Sequence, residues 1–183
     1  LGGRVHVGQR AALIGAGGIG FDVAEYLVHK GESSTLDPKR WMAEWGVDPT
    51  FETRGSLVKP QPEAPAREVW WLQRSAGKPG ARLGKTSGWV HRATLKAKQV
   101  KMLGGVEYLG VNDSGLKIRI DGSEQLLPVD HVVVCAGQEP RRELQAELLA
   151  AGITAHLIGG ADVAAELDAK RAIDQGSRLA AAL

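Results

Sequence analysis

The sequence predicts an α/β protein built on a parallel sheet with a small antiparallel excursion. Three observations carry that class. Short apolar runs stopped by glycine alternate with stretches of helical spacing. A glycine-rich turn from Gly15 to Gly20 joins the first such run to the first helical stretch. Asn112-Asp-Ser-Gly115 separates two β-prone runs with strong hairpin punctuation.

The elements follow in order. Residues 1–9 are polar and glycine-rich, an incoming connection. Arg10 to Gly15 has the profile of a buried parallel strand. Gly18 to His29 repeats apolar residues at Ile19, Val23, Ala24 and Leu27, and Gly31 stops that helix. Residues 32–66 hold Pro38, Pro49, Pro60, Pro62 and Pro65 and read as a surface insertion with one short helix, Pro38 to Trp45. Glu68 to Gln73 is a second strand, and a helix is expected from about Trp89 to Leu103. Val106–Leu109 and Leu116–Ile120 form the hairpin. His131 to Cys135 is a continuous apolar strand, read as buried, running into Ala136-Gly137. A helix after Pro140, a strand at Ala155–Ile158 and a last helix from about Val163 to Leu183 complete the chain. No internal repeat interrupts this order.

Gly15-Ala16-Gly17-Gly18-Ile19-Gly20 matches G-x-G-x-x-G between a strand and a helix, the context in which that spacing binds a dinucleotide. Gly15 permits the tight turn, Gly17 lets a pyrophosphate approach bare backbone, and Gly20 lets helix and strand pack closely. The helix start offers unpaired N–H groups and partial positive charge to phosphate. The alternative is a purely structural glycine turn. An NAD site normally places an acid at the end of the second strand to accept from the ribose 2′-hydroxyl. Here that strand runs into Gln73-Arg74, followed by Lys78, Arg82 and Lys85. Arginine suits a 2′-phosphate, so NADPH is favoured over NADH. The long gap from Gly20 to Arg74 is filled by the proline-rich insertion. A solvated basic loop is the plain alternative for these cations.

Rival motifs are weaker. Gly84-Lys85-Thr86 needs a glycine where Pro79 stands, which argues against a P-loop. Tyr26 and Lys30 have YxxxK spacing but lie on the first helix, away from any nicotinamide position. Ser75 and Lys78 spell SxxK on a loop broken by Pro79. His6, His29, His91, His131 and His156 show no ligand spacing. One cysteine, Cys135, excludes a disulfide framework or an internal four-cysteine cluster and fits a reducing, cytoplasmic compartment. A formal net charge of +2 gives no case for nucleic acid, and no apolar run reaches membrane-spanning length. The tryptophans read as core and interface. No acid–base or nucleophile set emerges, so no catalytic residue is assigned and the chemistry is expected elsewhere. A start at Leu1 rather than Met suggests a piece of a longer polypeptide.

The ordered segments Ala11-Ala-Leu-Ile-Gly-Ala-Gly-Gly-Ile-Gly-Phe-Asp22, Leu72-Gln-Arg74, Lys85-Thr-Ser-Gly-Trp89, Val134-Cys-Ala-Gly-Gln-Glu-Pro140 and His156-Leu-Ile-Gly-Gly-Ala-Asp162 resemble the C-terminal part of bacterial NADPH-dependent 2,4-dienoyl-CoA reductases. The resemblance runs through essentially the whole chain. It implies a Rossmann-like NADPH domain over residues 9–137, with residues 1–8 and 138–183 as the C-terminal piece of a partial FAD-binding domain. It also implies electron flow from NADPH to FAD, then through a 4Fe–4S cluster to FMN in an N-terminal barrel, and on to an unsaturated acyl-CoA. Carried onto this sequence, Gly15–Gly20 hold the NADPH pyrophosphate, and Arg74 with Lys78 or Lys85 holds the 2′-phosphate. Ala136-Gly137 then close the domain near the nicotinamide. Gly160 and Asp162 lie in the late FAD motif, with Asp162 accepting from ribityl hydroxyls and the following helix facing the pyrophosphate. A helix N-cap is the plain alternative for Asp162. The chain shows no first FAD glycine turn, no cysteine cluster and no barrel. A related amine dehydrogenase or enoate reductase, or a non-catalytic nucleotide-binding module, stays open.

Overall fold

The computed structural model describes residues 5–81, 83–84, 86–164 and 169–183. The chain divides into two compact units, Leu1–Ala136 and Gly137–Leu183. The first unit is α/β, as the apolar runs and helical stretches indicated. Its parallel sheet comprises β1 (Arg10–Ile14), β2 (Glu68–Leu72), β3 (Lys101–Leu103) and β7 (His131–Val134), in the order β3-β2-β1-β7. A second sheet is antiparallel and comprises β4 (Glu107–Asn112), β5 (Gly115–Ile120) and β6 (Ser123–Leu127). Helices α1 (Gly18–Val28), α2 (Pro38–Trp45) and α3 (Gly88–Ala97) complete the unit.

Strand alternation explains the layering. Side chains one residue apart on a strand face opposite ways. Ala11, Leu13, Val69 and Trp71 therefore pack with Phe21, Ala24, Leu27 and Leu95 of α1 and α3. Ala12, Trp70 and Leu72 pack instead with Leu116, Ile118 and Leu127 of the antiparallel sheet. The parallel sheet is covered on both faces, which accounts for its continuous apolar strands.

Several details depart from the sequence reading. The helix expected to run to Leu103 stops at Ala97. Gln99 takes φ 59°, and the chain re-enters the sheet as β3. β6 extends the hairpin into three strands through an Asp121-Gly122 turn with φ 48° and 79°. β7 is an edge strand rather than a buried one, and Val134 is 69% exposed. Ile19 also points away from the core, 54% exposed, and Phe21 takes the inward position on α1. In the insertion, Asp37 caps α2 by accepting from the backbone N–H groups of Lys39 and Arg40, and Pro38 occupies the first turn.

The second unit contains α4 (Glu143–Ala150), a short 3₁₀ turn at Gly159–Ala161 and α5 (Ala169–Ala182). The strand expected at Ala155–Ile158 does not form: those residues have no strand partner among the described residues, and a strand requires one to satisfy its backbone. The start of the last helix, expected near Val163, falls partly at 165–168, outside the described residues. α5 is described from Ala169. No described helix is long and apolar enough to cross a membrane.

Candidate functional site

The order β3-β2-β1-β7 places the switch in strand order between β1 and β7. Ligands of open parallel sheets bind at such a point, outside the carboxyl ends of the strands. The Gly15–Gly20 turn leaves β1 at that end, and Cys135-Ala136 leave β7 beside it. Cys135 N–H donates to Ile14 O at 2.7 Å, continuing the pairing one step past the strands. Gly15 has φ 114°, and a side chain there would lie 2.6 Å from Cys135 O, so only glycine fits. Burial pushes the half-buried Cys135 thiol above its ordinary pKa, which keeps it protonated at neutral pH.

The three glycines of the motif have separable roles. A Cβ at Gly20 would meet Gly15 O at 2.1 Å and Trp71 Nε1 at 2.9 Å, so Gly20 is required by packing. Gly17 is the N-cap of α1, with extended φ −89° and ψ −176°. A Cβ there, or at Gly18, would meet nothing within 4 Å. The N-cap has no side-chain hydrogen bond, and the first turn of α1 carries no acid. Phe21 N–H donates to Gly17 O. The N–H groups of Gly18, Ile19 and Gly20 precede the first intrahelical bond at the positive end of the helix, with Gly18 and Ile19 exposed and Gly20 buried. Such unpaired donors at a helix start suit an anionic group.

Beyond β2, Arg74 and Lys78 are exposed on one loop. Gln73 shapes it: its side-chain amide donates to Ser75 O at 3.0 Å and to Gly77 O at 3.2 Å. Gly104 closes the loop from beneath, since a Cβ there would lie 2.2 Å from Gly77 O. Gly105 N–H donates to Ser75 O at 2.9 Å. Among the described residues the Tyr108 hydroxyl is buried without a partner. Burial raises its pKa, and the charge of Arg74 opposes the rise. Lys85 and Arg82 lie outside the described residues. Sequence reasoning missed Gln73, Gly104 and Gly105, although the Gly104-Gly105 pair was a visible turn signal.

In the second unit, Gly160 lies in the 3₁₀ turn and Asp162 follows it. Asp162 is not the N-cap of the last helix. It terminates the 3₁₀ turn, and its Oδ2 accepts from Gln175 Nε2 at 3.0 Å. Gln175 Oε1 accepts from Gly159 N–H at 2.8 Å, so one side chain braces both ends of the segment. Arg142 donates to Ala161 O at 2.7 Å and to Asp162 O.

A separate cavity of about 670 Å³ lies between α1, α2 and α3, with Tyr26, Trp41, Trp45 and Val90 among its walls. It is not at the carboxyl ends of the strands, where the glycine turn lies. We therefore place the candidate site at the turn.

The parallel sheet, its glycine turn and the covering helices define a Rossmann-like α/β fold. No protein-family profile matches the chain. A curated relative from Desulforamulus reducens, described as a metal reductase, is 27% identical over 146 residues, covering 79% of this chain and 20% of the relative. The chain thus spans about a fifth of that relative's length. Among solved structures, 2-naphthoyl-CoA reductase in complex with 2-naphthoyl-CoA aligns over 97% of this chain and 21% of its own, with a TM-score of 0.62 and 19% identity. Histamine dehydrogenase from Rhizobium sp. 4-9 aligns over 95% and 23%, with a TM-score of 0.59 and 16% identity. At these identities the two structures establish the shared fold.

Proposed function

We propose that this chain is the NADPH-binding module of a flavin oxidoreductase similar to the 2,4-dienoyl-CoA reductases. The observation that carries the reading is the open backbone cradle at Gly17 and Gly18, at the switch point between β1 and β7. The N–H groups of Gly18, Ile19 and Gly20 bind the pyrophosphate, and the bare Gly17 backbone admits it. Arg74 and Lys78, with Lys85 beyond the described residues, neutralise the 2′-phosphate. Ala136 and Gly137 border the nicotinamide end without bulk. NADPH, when bound, supplies a hydride; the chain positions the nucleotide and keeps its own thiol neutral beside it.

The acceptor in this reading is FAD. The residues of the second unit fit it in part: Asp162 Oδ2 accepts from Gln175, and Gly160 lies two residues earlier in the 3₁₀ turn. FMN, a 4Fe–4S cluster and the unsaturated acyl-CoA substrate belong to parts of the protein outside this chain. The names of the relatives, one a metal reductase and two acting on an acyl-CoA or an amine, suit a donor module whose final acceptor varies. The division into an NADPH domain over 9–137 and a partial FAD domain from 1–8 and 138–183, and a cytoplasmic location, belong to the same proposal. Calorimetric titration of the chain with NADPH and NADH tests it. Saturable binding with NADPH preferred supports the reading, and no heat from either nucleotide removes it.

A further inference from the structure

We propose that Trp71 is a positioning residue of the nucleotide site, fixing both the phosphate turn and the cation-bearing loop to one rigid point. The proposal rests on the reading of Gly15–Gly20 as a nucleotide turn.

Trp71 lies in β2 and is fully buried. A buried indole normally finds a partner for its N–H. Here the N–H leaves the core and donates to Gly15 O at 3.0 Å. Gly15 N–H in turn donates to Leu72 O at 2.9 Å. Both polar backbone atoms of the first motif glycine are thus tied to β2 and its side chain. The glycine at position 20 leaves the space in which this bond forms, since a Cβ there would displace both Gly15 O and the indole nitrogen.

The same ring reaches the loop. Trp71 and Phe21 of α1 meet edge to face, with centroids 4.1 Å apart. Gly80 is pressed onto this pair: a Cβ there would lie 2.4 Å from the Phe21 ring and 3.3 Å from the Trp71 ring. Arg92 fixes Gly80 from the other side by donating to its carbonyl at 2.9 Å. Lys78 stands two residues before Gly80, and Arg74 three residues after Trp71 in the chain. One indole therefore sets the distance between the turn that receives the pyrophosphate and the loop that offers charge to the 2′-phosphate. Another large apolar residue would fill the core, but it would leave Gly15 O without this donor.

The test compares the wild-type chain with Trp71→Phe and Leu27→Val by calorimetric titration with NADPH and NADH, alongside thermal melts. The loss of one positioning hydrogen bond in Trp71→Phe is expected to weaken both nucleotides about five- to tenfold. Leu27→Val, which loosens the same core away from the turn and the loop while leaving the N–H in place, is expected to lower the melt with affinity changed less than about twofold. Should Trp71→Phe fail to fold, benzothienylalanine at position 71 keeps the indole shape without the N–H, and the same weakening is expected. Wild-type affinity without the N–H overturns the proposal. Equal weakening in Leu27→Val also overturns it, because the role would then be packing alone. A wild-type chain that binds neither nucleotide overturns the nucleotide reading itself, a result distinct from either.

Discussion

Gly17→Val separates ligand binding from folding at a single position. Gly17 has extended backbone that valine adopts readily, and a Cβ there meets no atom within 4 Å. Valine is a poorer N-cap than glycine, so the fold loses about 1 kcal/mol at most. For a chain of this size that lowers the melting temperature by roughly 2–4 °C. Binding responds differently. The valine side chain occupies the space through which the pyrophosphate must reach the N–H groups of Gly18 and Ile19. Two hydrogen bonds to a charged group are worth about 3–6 kcal/mol together. At about 1.4 kcal/mol per decade, NADPH affinity falls by roughly 100-fold or more. Calorimetric titration and differential scanning fluorimetry on the same preparation read both quantities. Wild-type affinity in a folded Gly17→Val protein would refute the role of the open cradle. A collapse of the melt would refute the claim that the space there is free.

Gly20→Ala should cost stability as well as affinity. Its Cβ would enter Gly15 O at 2.1 Å, and overpacking with loss of the Trp71 bond predicts destabilisation of about 2–4 kcal/mol, read in urea denaturation. Arg74→Ala should weaken NADPH about tenfold and leave NADH nearly unchanged, because the exposed guanidinium is proposed to meet the 2′-phosphate alone; equal losses in paired titrations would remove it from that role. Asp48 accepts from the hydroxyls and backbone N–H groups of Thr50 and Thr53, and these bonds hold its carboxyl well below the usual range. A carboxyl depressed on folding stabilises above its unfolded value near 4 and loses that contribution as pH falls below it. Protection of the amides over residues 47–57, taken relative to intrinsic exchange rates, should therefore fall progressively below about pH 4, and Asp48→Asn should abolish that acid dependence.

The parts of this architecture legible in the sequence are those where local chemistry and tertiary context agree. β1, the glycine turn and α1 were readable because an apolar run, three spaced glycines and a helical pattern reinforce one another. Asp37-Pro38 similarly announced α2 as cap and first turn. β3 was hidden because only three residues long and continuous in polarity with α3. Its boundary is a left-handed Gln99, a conformation no residue preference announces. β6 was hidden because Ser123, Glu124 and Gln125 are exposed edge residues, although Asp121-Gly122 is a hairpin signal in its own right. Ala155–Ile158 misled in the opposite direction: apolar character suggested a strand, but strand formation depends on a neighbour that local sequence does not supply. At the site, the glycines could be named from spacing alone. The contribution of Trp71 could not, because a buried indole with a distant carbonyl partner resembles ordinary core in one dimension.

The central claim is that the backbone from Gly15 to Gly20 receives the phosphates of NADPH. Amide chemical-shift mapping of the isotope-labelled chain during NADPH titration tests it most directly. The largest shifts are expected at Gly17, Gly18, Ile19 and Gly20, with a second group at residues 73–78 that weakens when NADH replaces NADPH. Amides of α2 and of residues 47–57 should stay in place. Saturable shifts confined to α2 and the facing residues of α1 and α3 would move the nucleotide to the cavity between those helices and contradict the claim.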